Sequence, residues 1–200
     1  MGAGLLGRSF QRLLEVDPGF ETESAVAMIL SQPDPEEPAA QRALAQFYQR
    51  LFERLHSLPG VIALGGINAL PMSGNGGNGT FLIEEGAKPA ETMAELTTQF
   101  SALAGTARLG DAEFRVASSD YFPAMKIPLV RGRLFAESDG LDASHVALIS
   151  AELARRTWPN EDPIGRQLQF GGMDGDLHLL HIIGVVGDVR DDGLDAEPRP

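Results

Sequence analysis

Apolar and polar positions alternate with two different periods along this chain, and the clearest run is helical. Over residues 40–58, Leu44, Phe47, Tyr48, Leu51, Leu55 and Leu58 recur at three- and four-residue spacing. Gln46, Gln49, Arg50, Glu53 and Arg54 occupy mostly the other face, the pattern of an amphipathic helix. Pro59 and Gly60 end it, because proline cannot donate a backbone hydrogen bond and glycine supplies the turn. Residues 25–30 and 61–70 are apolar and short on either side, so both read as strands. Strand, long helix and strand together predict a βαβ or split-βαβ unit.

Before this unit, Leu5, Leu6, Phe10, Leu13 and Leu14 are interleaved with Arg8 and Arg12, which predicts a short amphipathic helix or the end of a longer one. Asp17, Pro18 and Gly19 stop it. Residues 32–38 read as a proline- and acid-rich loop, and residues 73–79 as a glycine/asparagine loop. Strands are predicted at 80–84, 113–117 and 145–149, whereas 86–110 carries no decisive pattern. Ser118 or Ser119 is placed to cap a short helix over 121–125, and Ser150 to cap a helix over 151–158 with Glu152 in its positive first turn. Residues 166–170 and 179–186 predict a hairpin across a turn at 171–175, and 190–200 reads as a polar tail.

Composition narrows the function classes. The formal net charge is −12 with only 16 Lys+Arg, and no basic cluster is present, which argues against nucleic-acid binding. There is no cysteine, so disulfides, thiol nucleophiles and cysteine-based metal sites are excluded. An oxidising compartment suits such a chain. No run reaches the about 20 apolar residues that a membrane-spanning helix needs, and the N-terminus lacks the basic region and cleavage site of a signal peptide.

Candidate chemistry is sparse. The loop of Ser73, Gly74, Asn75, Gly76, Gly77, Asn78 and Gly79 lacks the lysine and hydroxyl of a phosphate-binding loop and leads into a strand, so it reads as a connection. His178 and His181, in an extended segment, point to opposite faces rather than converging on a metal. His56 and His145 have no catalytic partner nearby in sequence. Asp174, Gly175 and Asp176 read as a hairpin turn, lacking the ligand ladder of a calcium loop. Asp191 and Asp192 lie in the polar tail, where solvation is the expectation. No catalytic, cofactor-binding or metal-binding residue is assigned.

Four segments, read in order, carry a family resemblance. They are Arg8-Ser9-Phe10 with Val16-Asp17-Pro18-Gly19-Phe20; Leu58-Pro59-Gly60-Val61 with Ala69-Leu70-Pro71-Met72-Ser73-Gly74; Arg115 through Phe122 with Ile127 through Phe135; and Val146 through Ser150 with Leu153 through Arg156, Trp158-Pro159, Asp162 through Gly165 and Ile183 through Val189. Together they resemble the MacB-like periplasmic core domain of FtsX/MacB-type ABC transporter permeases, in the form found in acidobacterial duplicated-orphan permeases.

The resemblance implies an α+β fold of two small lobes. A porter-like split-βαβ lobe would hold residues 20–72 and 113–200, with a second lobe inserted at 73–112. Residues 1–19 would be the end of a first transmembrane helix and its juxtamembrane turn, and the core domain at 20–200 would be incomplete at its C-terminus. A non-catalytic domain is implied, lying on the periplasmic side of the bacterial inner membrane. It would work with a cytoplasmic ABC ATPase, as part of a homodimer, alongside a periplasmic adaptor or exported substrate, and would transmit ATP-driven motion. On that mechanism 71–79 and 105–110 are hinge candidates. A periplasmic sensor or adaptor domain, and a stand-alone α/β enzyme, are the competing readings.

Overall fold

The computed structural model describes residues 8, 11–13, 15–32, 37–74, 76–84, 86, 88–140, 142–170 and 177–200. Most of the N-terminal helix expected at 5–14, part of the loop at 32–38 and the turn at 171–175 lie outside the described residues. At the first stop signal Gly19 has φ +85° and its N–H donates to Asp17 Oδ1 at 2.8 Å, as the Asp-Pro-Gly sequence predicts.

The fold is α+β, with one mixed six-stranded sheet. Helix α1 spans Pro38–His56, and β1 runs Gly77–Glu84. Helix α2 (Met93–Leu103) leads into β2 (Leu109–Phe114). A short α3 (Tyr121–Ala124) precedes β3 (Leu129–Gly132). Then come β4 (Val146–Ser150), α4 (Ala151–Thr157), β5 (Gln167–Phe170) and β6 (Leu180–Val186). The strand order is β2-β1-β5-β6-β3, with β4 also pairing β6.

Strand β6 organises the sheet. Parallel β4 lies along it from Val146↔His181 to Ser150↔Val186. Antiparallel β5 meets its first residues (Leu168↔Leu180), and antiparallel β3 meets its last ones (Leu129↔Val186, Gly132↔Gly184). The β4 register slips between Ala147 and Leu148, where Ile183 is the extra residue on β6. That bulge turns both Ile182 and Val185 into the same core.

Alternation along β1 supplies both faces of the sheet. Phe81 and Ile83 join Leu168, Phe170, Ile182, Leu153 and Trp158 in one core, on the side of α4. Leu82 points the other way and packs with Ala90 and fully buried Leu96 of α2. A third cluster forms at one end around Tyr121, Ile127 and Val186, with Phe20 and Ile67 against it. The segment 73–112, expected as an inserted lobe, supplies β1 and most of β2, joined to the other strands through β1–β5 pairing, with α2 packed against Leu82.

Several local expectations are corrected. Residues 25–30 are not a buried strand: they pair with nothing among the described residues, and Val26 is 97% and Ile29 85% exposed. Residues 61–70 contribute only the isolated bridge Ile67↔Ala117. The β-α-β crossover therefore lies at β4–α4–β6, not around α1. Helix α1 itself forms as expected but has no buried residue. The strand expected at 113–117 is β2, which ends at Phe114. Neither serine caps α3: Asp120 holds that position without a side-chain bond, and Ser118 Oγ instead accepts the Gly66 N–H at 2.9 Å.

The patternless stretch resolves into α2, whose N-cap Thr92 accepts from the Glu95 N–H at 3.2 Å. Buried Gln169 ties the approach to this helix onto the sheet. Its Nε2 donates to the carbonyls of Ala90 (2.8 Å) and Leu177 (2.7 Å), and its Oε1 accepts from the Ala90 N–H at 3.1 Å.

Two predictions test this frame. Gly132 has φ +77°, and a Cβ there would lie 2.3 Å from the Ile183 carbonyl oxygen. Gly132→Ala should lower stability by about 1–3 kcal/mol in urea unfolding, since both the dihedral and the contact resist it. The Glu84 side chain is 2% exposed, and neither carboxylate oxygen has a hydrogen-bond partner among the described residues. Burial pushes its pKa above the usual 4.5, only partly offset by Arg108 at 4.0 Å. The fold therefore loses stability as pH rises from 4.5 toward the raised value, because the unfolded chain ionises first. Glu84→Gln should flatten that decline when melting temperature is measured against pH.

Candidate functional site

Three places in the described residues gather polar side chains: an open cavity beside the start of β4, a cleft between α4 and β3, and a half-buried ion cluster at one end of β1 and β2.

The cavity has a volume of about 420 Å³ and is lined by Asp142, Ser144, His145, His178 and His181. The His145 and His178 rings lie 4.5 Å apart between centroids, tilted by 43°. The His181 N–H donates to the His145 carbonyl at 2.9 Å, and its ring lies 3.4 Å from Gln167 Nε2. Three of the four histidines thus converge, which sequence spacing did not indicate. His178 lies just before β6, which begins at Leu180, and His181 is the second residue of that strand. His145 reaches them through the parallel pairing of β4 with β6, a long-range contact with no local signal. No group of three metal-ligating side chains close enough to hold an ion is found among the described residues. His56 is exposed at the end of α1 and does not line this cavity.

The cleft, about 540 Å³, has Trp158 and Val185 in its wall with Val130 and Pro159 beside them. Its cations are already engaged: Arg131 lies 3.4 Å from Asp162, and Arg155 pairs with Glu152 and, at 2.9 Å, with Asp188. Ser150 Oγ accepts the Leu153 N–H at 3.0 Å, the cap predicted for α4. Asp188 Oδ1 accepts the neighbouring Glu152 N–H at 2.6 Å, so two side chains serve one helix N-terminus. The Arg166 guanidinium stands 5.8 Å over the Trp158 ring. The segments 146–165 and 183–189 that carry the sequence resemblance therefore meet at α4, as caps, turns and packing.

The ion cluster centres on Arg115. It donates to the Phe114 carbonyl at 2.9 Å and pairs with Glu113 at 3.1 Å and Asp191 at 3.4 Å. Arg199 adds contacts to Glu113 (3.8 Å) and Asp192 (2.7 Å). The chain after Arg190 is thus not simply a solvated tail. Asp191 O accepts the Met72 N–H at 3.0 Å, and Pro200 O accepts the Glu113 N–H at 2.9 Å. Burial raises the Asp191 pKa against the pull of Arg115, and burial, then the Asp191 charge, pushes the Tyr121 hydroxyl up to about 12. Of the glycine/asparagine loop, residues 77–79 belong to β1, Asn75 lies outside the described residues, and Gly76 leaves room for the Arg115 guanidinium.

Comparison with known proteins adds what the geometry alone does not carry. The family model for the MacB-like periplasmic core domain matches residues 43–196. No curated protein matches the chain. Among solved structures, the periplasmic region of MacB from Actinobacillus actinomycetemcomitans is 15% identical with a TM-score of 0.36, over 61% of this chain and 70% of that one. A domain of a Porphyromonas gingivalis protein described as a putative permease is 16% identical, TM-score 0.41, over 72% of this chain and 46% of that one. The extracellular domain of the noncanonic ABC-type transporter YknZ from Gram-positive bacteria is 17% identical, TM-score 0.40, over 69% of this chain and 56% of that one. The chain thus spans about half of the last two structures it matches.

Replacing Arg115 should expose the cost of the cluster. Arg115→Met leaves Glu113 and Asp191 without their shared cation and should cost roughly 1–3 kcal/mol, the partial exposure of the three side chains screening the loss. The deficit in urea unfolding should be larger at neutral pH than in acid, where Asp191, its pKa raised by burial, is protonated.

Proposed function

The chain belongs to the family of MacB-like periplasmic core domains, and from that premise we propose that it is the outer, non-catalytic part of an ABC transporter permease of the bacterial inner membrane, relaying ATP-driven motion of the membrane helices to the periplasmic side. The carrying observation is the family match over residues 43–196, most of the chain. The structure supports a mechanical reading in a second way. The residues that gave the resemblance cap α4, fix the β3–β6 crossing and pack the core; both cavities are open, with walls formed largely by exposed or half-buried residues.

On this reading a cytoplasmic ATPase, acting through membrane helices, supplies the work, and the permease acts as a homodimer. The rigid unit is the six-stranded sheet with α2 and α4. Helix α1, outside the cores, is the element free to change its position relative to that unit. The connection at 71–76 is the hinge, with Met72 at φ 59° and Gly74 at φ 69°.

Two measurements test the proposal. The reading frame should continue into membrane-spanning segments on both sides of the coding region. In the whole permease with its ATPase, spin labels at Glu53→Cys on α1 and Thr97→Cys on α2 should show a shifted distance distribution when ATP is added. Both sites are exposed and these 200 residues hold no cysteine, so only cysteines elsewhere in the permease and in the ATPase need replacing first. An ATP-independent distance would reject relay between these elements.

A further inference from the structure

Helix α1 forms without burying any residue, yet it is not polar all round. Leu44, Tyr48, Leu51, Phe52 and Leu55 are half-buried along one side, where Phe52 lies against the Gly66 backbone. The stripe continues past that cover. Phe47 is 38% exposed and Leu58 50%, and Ile62, just beyond the helix, is 94% exposed. Helical spacing sets Arg50 and Arg54 along the border of this open part, three and seven positions after Phe47. Glu53, three positions after Arg50, lies next to it and further round the polar face.

The charge of these arginines is unspent. Arg42 pairs with Asp142 at 3.1 Å, but Arg50 and Arg54 have no ionic partner among the described residues, and both are exposed. Most of the other cations answer carboxylates: Lys88, Lys126, Arg108, Arg115, Arg131 and Arg133 are examples. Helix α1 carries three arginines against one glutamate in a chain of net charge −12. Free positive charge therefore collects beside exposed aromatic and aliphatic side chains, on an element that no described helix or strand covers.

We propose that this border of α1 docks on the outer surface of an anionic phospholipid bilayer, with Phe47 and Leu58 entering the headgroup boundary and Arg50 and Arg54 meeting lipid phosphates. The inference rests on the permease reading, which holds the domain close to a membrane. Its physical basis is charge and amphipathicity: arginine stems lie along apolar surface while their heads reach the phosphates. No helix among the described residues is long and apolar enough to cross a membrane, so the contact is interfacial. It weakens with salt, as screening requires.

The test is co-sedimentation of the 200-residue protein with vesicles of phosphatidylcholine alone or mixed with phosphatidylglycerol. Binding is expected only to the mixed vesicles. Each of Arg50→Gln and Arg54→Gln should weaken partitioning by roughly five-fold at low salt, and Phe47→Glu should abolish it. Phe47→Trp should shift its emission to the blue on the mixed vesicles, against the constant background of buried Trp158. Unchanged urea midpoints in the variants establish that the sheet remains folded. Equal binding to both vesicle types, no binding, or indifference to the arginine substitutions overturns the proposal. So does a Phe47-dependent dimer in solution without vesicle binding, which would assign the face to a second copy. These failures leave the permease reading to the ATP-dependent distance measurement, which needs no lipid contact by α1.

Discussion

Strand β6 can serve three neighbours because it crosses β3 where neither chain has a side chain in the way. Gly132 and Gly184 are register partners there, and a Cβ on Gly184 would lie 2.4 Å from the Arg133 carbonyl oxygen. The close approach lets β3 occupy the end of the edge whose beginning β5 uses, while β4 keeps the other edge. The bulge at Ile183 then restores the inward direction of Val185. Without that crossing, β3 would lose its pairing partner and the cluster around Tyr121, Ile127 and Val186 would lose one wall.

The rest of the sheet follows from what β6 delivers at its two ends. At the C-terminal end it places Asp188 against the first turn of α4, the helix that launches from β4, so strand pairing and helix capping reinforce each other. At the N-terminal end it brings His181 and His178 to His145 and opens the histidine cavity. Polar groups that enter the interior are handled unevenly. Gln169 satisfies three backbone groups, whereas Glu84 has no hydrogen-bond partner among the described residues and only a distant arginine. The first stiffens the frame and the second makes its stability depend on pH.

On the proposed reading, the sheet is the part that moves as a unit and the half-exposed helix α1 is the part that moves against it. The charged network around Arg115 closes the base of β1 and β2 onto the chain at 191–200, which strengthens the rigid side of that division. Helix α1 stands on the other side of it, linked to the body by Phe52 against Gly66 and by the exposed Arg42–Asp142 pair. Its apolar stripe and unpaired arginines are features of a surface meant to meet something, and a bilayer is the surface that answers both.

Local chemistry alone determined a good part of this protein. Side-chain spacing set α1; Ser150 marked the start of α4; Asp17, Pro18 and Gly19 marked a turn; alternation paired β5 with β6. The family was legible from the order of motifs. Helix α2 carries a local signal in Thr92 with Glu95 three positions on, but the period of the stretch is too weak to decide it without the sheet that buries Leu96. Tertiary structure decided the remainder. A strand exists only as one member of a ladder, so the apolar residues at 25–30 and 61–66 could not become strands without partners. The convergence of three histidines and the burial of Asp191 depend on which distant segments pair, and no local propensity records that choice.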